Sequence, residues 1–184
     1  MEKIAHYQEK DQKLFEKCLR RLDAASTENG DSFFSYFAEH PEVLENESTY
    51  LLKEDGKIKS FVCLSDDLIH CLFPESKKGS RLYDLYDEIE IQDERVIFLL
   101  AFASDPADER QGYMSHLFTF LASSFRNVSW LCLVPQGNQK AAHFLWRRGY
   151  RDAKQSSSFE GYPGKMMSLF VNKLRRKGLA SVSF

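Results

Sequence analysis

The residues whose types and order could do chemistry lie between Ser104 and Ser115. An apolar run from Val96 to Ala103 ends in a polar turn, Ser104 to Gln111, and Gly112 opens a segment with Met114, Leu117, Phe118, Leu121 and Phe125 at three- and four-residue steps. That spacing predicts a helix with one apolar side. The first peptide N–H groups of a helix have no intrahelical acceptor and carry partial positive charge, so a phosphate group suits them. Gly112 lets the backbone approach such a group with no Cβ in the way, and it serves equally to shape a tight turn. A lone glycine before a helix does not decide between these roles.

The elements that must hold this turn are written on either side of it. Val, Ile and Phe between Val96 and Ala103 predict a strand buried on both faces, and a second apolar run, Val128 to Val134, predicts another. Strand, helix and strand in this order form a βαβ unit, which makes the strands parallel and the crossover right-handed. After the second strand comes Asn138-Gln-Lys-Ala141-Ala-His-Phe144-Leu145-Trp-Arg-Arg-Gly149-Tyr150. Asn138 is well suited to cap a helix there.

From Leu99 to Tyr150 the chain resembles the GNAT superfamily of N-acetyltransferases. The family's phosphate motif (Arg or Gln, two residues, Gly, one residue, Gly or Ala) corresponds to Glu109-Arg110-Gln111-Gly112-Tyr113-Met114. Its second motif (Asn, two residues, Ala, then an aromatic and Gly-Phe) corresponds to Asn138 through Gly149-Tyr150. The resemblance implies an α/β (α+β) fold: a GNAT-like mixed, mostly antiparallel central sheet with a parallel βαβ unit at its centre and flanking helices. Residues 1–184 would form one domain, with N-terminal helices at 1–48, a hairpin and long excursion at 49–95, an acyl-CoA-binding core at 96–150, and C-terminal strands and a tail at 151–184.

The implied activity is transfer of an acetyl group from acetyl-CoA to a primary amine by direct attack on the thioester. The pantetheine arm would pair with Phe102, Ala103 and Ser104, and the pyrophosphate would rest on Glu109, Arg110, Gln111, Gly112, Tyr113, Met114 and Ser115. Asn138 would bond an amide of the arm. The acceptor would be a small molecule or a peptide bearing an amine. The alternative is a non-catalytic GNAT-like domain that binds CoA or a protein partner as a sensor or interaction module. A dinucleotide-binding reading is weaker, because no G-x-G-x-x-G follows any strand.

The departures from the family bear on charge and on proton transfer. A carboxylate about 4 Å from a pyrophosphate is repelled by up to about 4 kcal/mol at an effective dielectric near 20, so Glu109 must face solvent or pair with a neighbour such as Arg110. Met114 must turn into the core for the helix start to stay open. Leu145 stands where many members carry a Tyr that resembles a general acid, and Cys132 falls near a strand position where some carry a Glu used as base. Candidate bases are then Asp105, Cys132 and Tyr113, with Asp108, Glu109, Tyr83 and Tyr86 behind them. The thiol leaving group departs without a strong acid, and the harder task is to remove a proton from an amine with a pKa near 10.

Composition narrows the class. The 184 residues are 43% apolar and 28% charged with a net charge of −2, which excludes an overall electrostatic footprint for nucleic acid. The basic run Lys173 to Lys177 reads as a solvated tail, or as a contact for an acidic partner or the cofactor's phosphates. Cys18, Cys63, Cys71 and Cys132 show no C-x-x-C spacing and read as reduced core residues of a cytoplasmic protein. His6, His40, His70, His116 and His143 show no ligand spacing, so no metal is expected, and no apolar run has the length of a membrane span.

The remaining chain supplies flanking elements. Leu14, Phe15, Cys18, Leu19 and Leu22 predict an amphipathic helix over residues 5 to 25, and Ser32 to Ala38 a short second helix ended by His40-Pro41. Phe33, Phe34, Tyr36 and Phe37 suit either core packing or an aromatic acceptor pocket. Thr49 to Lys53 and Ile58 to Leu64 around Asp55-Gly56 predict a hairpin. The span from Ser65 to Glu94 is long for a connection, with a short strand expected at Leu68 to Phe73 and a cap over the acceptor side. Ser158 to Tyr162 and Lys165 to Val171 predict a last strand pair joined at Tyr162-Pro163-Gly164. A homodimer is left open.

Overall fold

The computed structural model describes residues 3–27, 34–41, 48–65, 96–152, 159–161 and 165–172. Asp55 and Gly56 both take positive φ, 51° and 72°. A two-residue turn of that hand matches the twist of the strands it joins, β2 (Ser48–Glu54) and β3 (Lys57–Ser65). β4 (Val96–Ser104) lies antiparallel against β3, and β5 (Ser129–Pro135) runs parallel to β4. β8 (Lys165–Asn172) pairs antiparallel with β5, while β6 (Arg151–Asp152) and β7 (Phe159–Gly161) share its far edge. With β1 (Lys3–His6) on β2, the sheet has eight strands in the order β1-β2-β3-β4-β5-β8-β6, with β7 beside β8. The β4–β5 pairing is its one parallel contact among the described residues. The mixed, mostly antiparallel sheet with a central βαβ unit is therefore present.

Helices cover both faces. α1 (Gln12–Thr27) and α2 (Ser35–Glu39) lie on one, where Phe15, Leu19, Leu22 and Phe37 pack on Leu51, Phe61, Leu100 and Leu131. α3 (Tyr113–Ser124) and α4 (Gln139–Trp146) lie on the other, where Met114, Leu117, Leu121 and Leu145 pack on Leu52, Val62, Leu99 and Trp130. Alternation along each strand sends successive side chains into the two cores in turn.

One expectation is corrected. The helix predicted from residue 5 begins at Gln12, and Lys3–His6 instead forms the edge strand β1, with Lys3 opposite Lys53 and His6 opposite Tyr50. The helical apolar spacing starts only at Leu14. Before it, the Asp11 carboxylate accepts from the Gln8 N–H at 3.2 Å and pairs with Lys53 Nζ at 2.5 Å, which starts a single 3-10 turn at Glu9–Asp11. The expected strand at Leu68 to Phe73, the excursion with Tyr83 and Tyr86, Phe33, the turn Tyr162-Pro163-Gly164 and the run Lys173 to Lys177 lie outside the described residues. The last strand pair is present as β7 and β8.

A bulge in β4 matters for the site. Leu64 faces Leu99 and Cys63 faces Ala101, so Leu100 is an extra residue. Leu100 and Ala101 consequently both pack on the α1 side, and alternation resumes one step out of phase, with Phe102 on the α3 side.

Candidate functional site

β4 and β5 pair only from Val96 opposite Ser129 to Leu99 opposite Cys132. Beyond that point β4 stays on β3 as far as Ser104, and β5 stays on β8 as far as Pro135. Two neighbouring parallel strands thus separate at their carboxyl ends, directly after the bulge at Leu100. The gap is a cleft of about 1060 Å³ between α1 on one side and the start of α3 with α4 on the other. Carboxyl ends of parallel strands are a common place for a ligand in such sheets.

The cleft brings together most of the residues read from the sequence. Phe102, Ala103, Ser104, Glu109, Arg110, Gly112, Tyr113, Met114, Ser115 and Asn138 all line it, whereas Gln111 is exposed and lies outside its lining. Gly112 is the N-cap of α3 with φ 85°, and a Cβ built there would meet nothing within 4 Å. Its left-handed conformation, not crowding by protein atoms, is what calls for glycine. Gly112 offers the helix start no side-chain cap, and the first helical turn closes with His116 N–H donating to Gly112 O at 3.0 Å.

The turn before it is held by charge. Asp105 follows β4 directly, is 4% exposed, accepts from Ala107 N–H at 3.1 Å, and is ion-paired with Arg21 of α1. Asp108 accepts two hydrogen bonds from Lys59 Nζ at 2.8 and 2.9 Å. That contact raises the Lys59 ammonium above its ordinary range, so Lys59 stays charged. The same ammonium lies 5.7 Å from the centre of the Tyr113 ring, and the Tyr113 hydroxyl donates to Glu54 Oε2 at 2.5 Å. The hairpin of β2 and β3 is thereby tied to the mouth of α3.

Both departures at the phosphate motif are accommodated. Met114 is buried in the core under α3, as an open helix start requires. Glu109 pairs with Lys140 Nζ at 2.5 Å; the neighbour Arg110, which has φ 69°, is not the partner found for it. Asn138 caps α4, its Oδ1 accepting from Ala141 N–H at 3.1 Å. Beneath the α3–α4 side, Phe102, Phe118 and Phe144 form a cluster with ring centres 5.0 to 5.9 Å apart. The Arg148 guanidinium covers Phe144 at 3.5 Å and donates to Phe144 O and to Ser115 Oγ, which joins the two helices.

All three leading candidate bases are sealed off or engaged elsewhere. Cys132 is 1% exposed, and burial pushes its thiol far above the ordinary range, so it holds its proton at neutral pH. Asp105 is locked between Arg21 and the Ala107 N–H on the α1 side. Tyr113 lines the cleft but spends its hydroxyl proton on Glu54. Leu145 is fully buried in the core, so no hydroxyl reaches the cleft from that position of α4. Sequence reading missed Glu54, Lys59, Arg21, Lys140 and Arg148. Their partners lie 31 to 84 residues away, and no local signal marks such pairs.

Among the described residues no group of His, Cys, Asp and Glu could hold a metal ion, and no helix is long and apolar enough to cross a membrane. No family model matches the sequence. No curated protein matches it either. Solved structures do match across nearly the whole chain. An acetyltransferase of the GNAT family from Bacillus cereus is 15% identical, with a TM-score of 0.60 over 95% of this chain and 99% of that one. The ribosomal-protein-S18-alanine N-acetyltransferase from Escherichia coli is 14% identical, with a TM-score of 0.59 over 98% of this chain and 99% of that one. Naa50 from Arabidopsis thaliana, solved in complex with the bisubstrate analogue CoA-Ac-MVNAL, is 10% identical, with a TM-score of 0.59 over 94% of this chain and 99% of that one. The chain has the fold of the GNAT acetyltransferases.

Proposed function

We propose that a chain with this fold is an acetyl-CoA-dependent N-acetyltransferase acting on a primary amine. The observation that carries the reading is the cleft between the separated ends of β4 and β5, with the start of α3 in its wall. The residues present fit the donor. The arm would run along Phe102, Ala103 and Ser104, and its phosphates would meet the turn and helix start from Glu109 to Ser115. Asn138 keeps its amide nitrogen for the arm while its oxygen caps α4. Bound there, acetyl-CoA supplies an activated acetyl group on a thiol leaving group.

The chain's own contribution is placement and the exclusion of water. The β4 bulge turns the backbone at Leu100 and Ala101 where pairing to β5 stops, so main-chain donors are available to a carbonyl oxygen. Lys140 offsets the charge of Glu109 beside the phosphates. The aromatic cluster under Phe102 gives the arm an apolar floor.

The test is a thermal melt with and without acetyl-CoA, repeated on Gly112→Trp, together with an assay for free thiol over a broad amine panel. A ligand at about 100 times its dissociation constant adds about 2.7 kcal/mol, which raises the melting temperature of a domain this size by roughly 5 to 10 °C. The expected result is a shift lost in the variant and thiol release with at least one amine. A shift without release from any amine would instead support a domain that binds CoA without turnover.

A further inference from the structure

Lys59 of β3 touches the crossing from β4 to α3 at three points. Its carbonyl accepts from the Asp105 N–H at 2.9 Å, and its ammonium donates to both Asp108 oxygens at 2.8 and 2.9 Å. Between those anchors the chain closes on itself, the Asp108 N–H donating to Asp105 O at 2.9 Å and the Ala107 N–H to Asp105 Oδ1 at 3.1 Å. The next link runs forward: the Gln111 N–H donates to Asp108 O at 3.4 Å, directly before Gly112. At the helix start the same ammonium lies 5.7 Å from the centre of the Tyr113 ring, whose hydroxyl is held by Glu54 of the other hairpin strand. Lys59 is outside the lining of the cleft, whereas Asp108, Gly112 and Tyr113 are in it. The Lys59 and Asp108 side chains are 13% and 21% exposed, against 76% and 45% for Lys140 and Glu109, so water screens this pair less.

We propose that Lys59 is a positioning residue for the donor: through Asp108 and Tyr113 it sets the turn and helix start on which the phosphates of acetyl-CoA would rest. The inference rests on the acetyltransferase reading and deepens it. Main-chain N–H groups hold an anion well only when they already point at it, and the residues that lock them need not touch the ligand. Asp108 brings a second demand. Its carboxylate lies in the wall proposed for an anion, and unpaired it would repel the phosphates; the Lys59 ammonium offsets that charge. The carboxylate thus serves the turn through what it grips, while its own charge works against the ligand.

The test is titration calorimetry of acetyl-CoA on the full chain, run well below the melting temperature of each variant. Lys59→Met should weaken binding about ten-fold, and Lys59→Arg, which keeps two donors for Asp108, should recover it to within about three-fold. Asp108→Ala should also weaken binding, by about five-fold, and Asp108→Asn, which keeps an acceptor for Lys59, should recover it. The sign of the Asp108→Ala effect is decisive. If charge alone mattered, that variant would bind tighter, because it removes a carboxylate from beside an anion. Lys57→Met takes the same charge from an exposed position of the same hairpin and should leave binding unchanged. Should Lys59→Met fail to fold, the two Asp108 variants carry the same decision. Tighter or unchanged binding in Asp108→Ala, unchanged binding in a folded Lys59→Met, or an equal loss in Lys57→Met overturns the inference and leaves the donor reading standing. A parent protein that does not bind acetyl-CoA removes both.

Discussion

Glu109 is the residue where this chain departs furthest from a phosphate site, and its partner decides what the departure does. Lys140 Nζ at 2.5 Å makes the pair nearly neutral as seen from the cleft, so a phosphate there meets a dipole, not a bare carboxylate. Glu109→Gln leaves Lys140 unopposed and should tighten acetyl-CoA binding about two- to five-fold. Lys140→Gln exposes the carboxylate and should weaken it by a similar factor, since both groups are solvent-screened. Titration calorimetry at low and high salt checks this, and both effects should shrink as salt rises. The neighbour Gly112 supplies a second test. At φ 85° with no atom near its missing Cβ, Gly112→Ala adds backbone strain without a clash. The expected loss is about 1 kcal/mol, or about 2 to 4 °C in the melting temperature, with the fold intact.

Among the elements, α3 and α4 form the side of the cleft proposed for the phosphates only while they stay together, and Arg148 spans them. Its guanidinium lies on Phe144 and bonds Ser115 of the first turn of α3, and its own carbonyl accepts from Asn172 Nδ2 at 3.2 Å. Arg148→Ala should lower stability by about 1 to 3 kcal/mol and weaken acetyl-CoA binding as well. Arg148→Lys should recover little of either, because an ammonium does not lie flat on the ring while bonding a hydroxyl sideways. Urea denaturation and calorimetry on both variants are the measurements; full recovery by Lys would show that charge alone matters. The elements themselves were legible unevenly. The apolar run at Val96 and the Asp55-Gly56 turn announce β4 and the hairpin because their signals are local. The bulge at Leu100 was not legible, since it exists only relative to Cys63 and Leu64 of the facing strand. The strand at Lys3–His6 was hidden for the same reason: its partner is β2, more than forty residues on, and its own four residues carry little pattern.

At the scale of the whole molecule, the sheet seals a separate core on each face, and each core encloses an ionisable group. Cys18 is wholly buried under α1, where burial first and the nearby Asp105 charge second push its thiol up to about 12. Cys132 and Tyr150 lie in the other core, and burial raises both well above their ordinary values. The protons they keep link folding to pH. Above the ordinary thiol range the unfolded chain has lost protons that the folded chain still holds, so the free energy of unfolding falls as pH rises. This contribution is fully present below about pH 8.5 and is lost upward through the alkaline range, at about 1.4 kcal/mol per pH unit for each thiol. Tyr150 adds to the slope above about pH 10. Urea unfolding at steps from pH 7.5 to 10.5 should therefore show a plateau and then a steep decline. Cys132→Ala should start less stable, through the cavity it leaves, and decline less steeply, because one buried proton is gone. Equal slopes in the two proteins would mean that Cys132 meets water in the folded chain, and that the core beneath α3 and α4 is open enough to let hydroxide in.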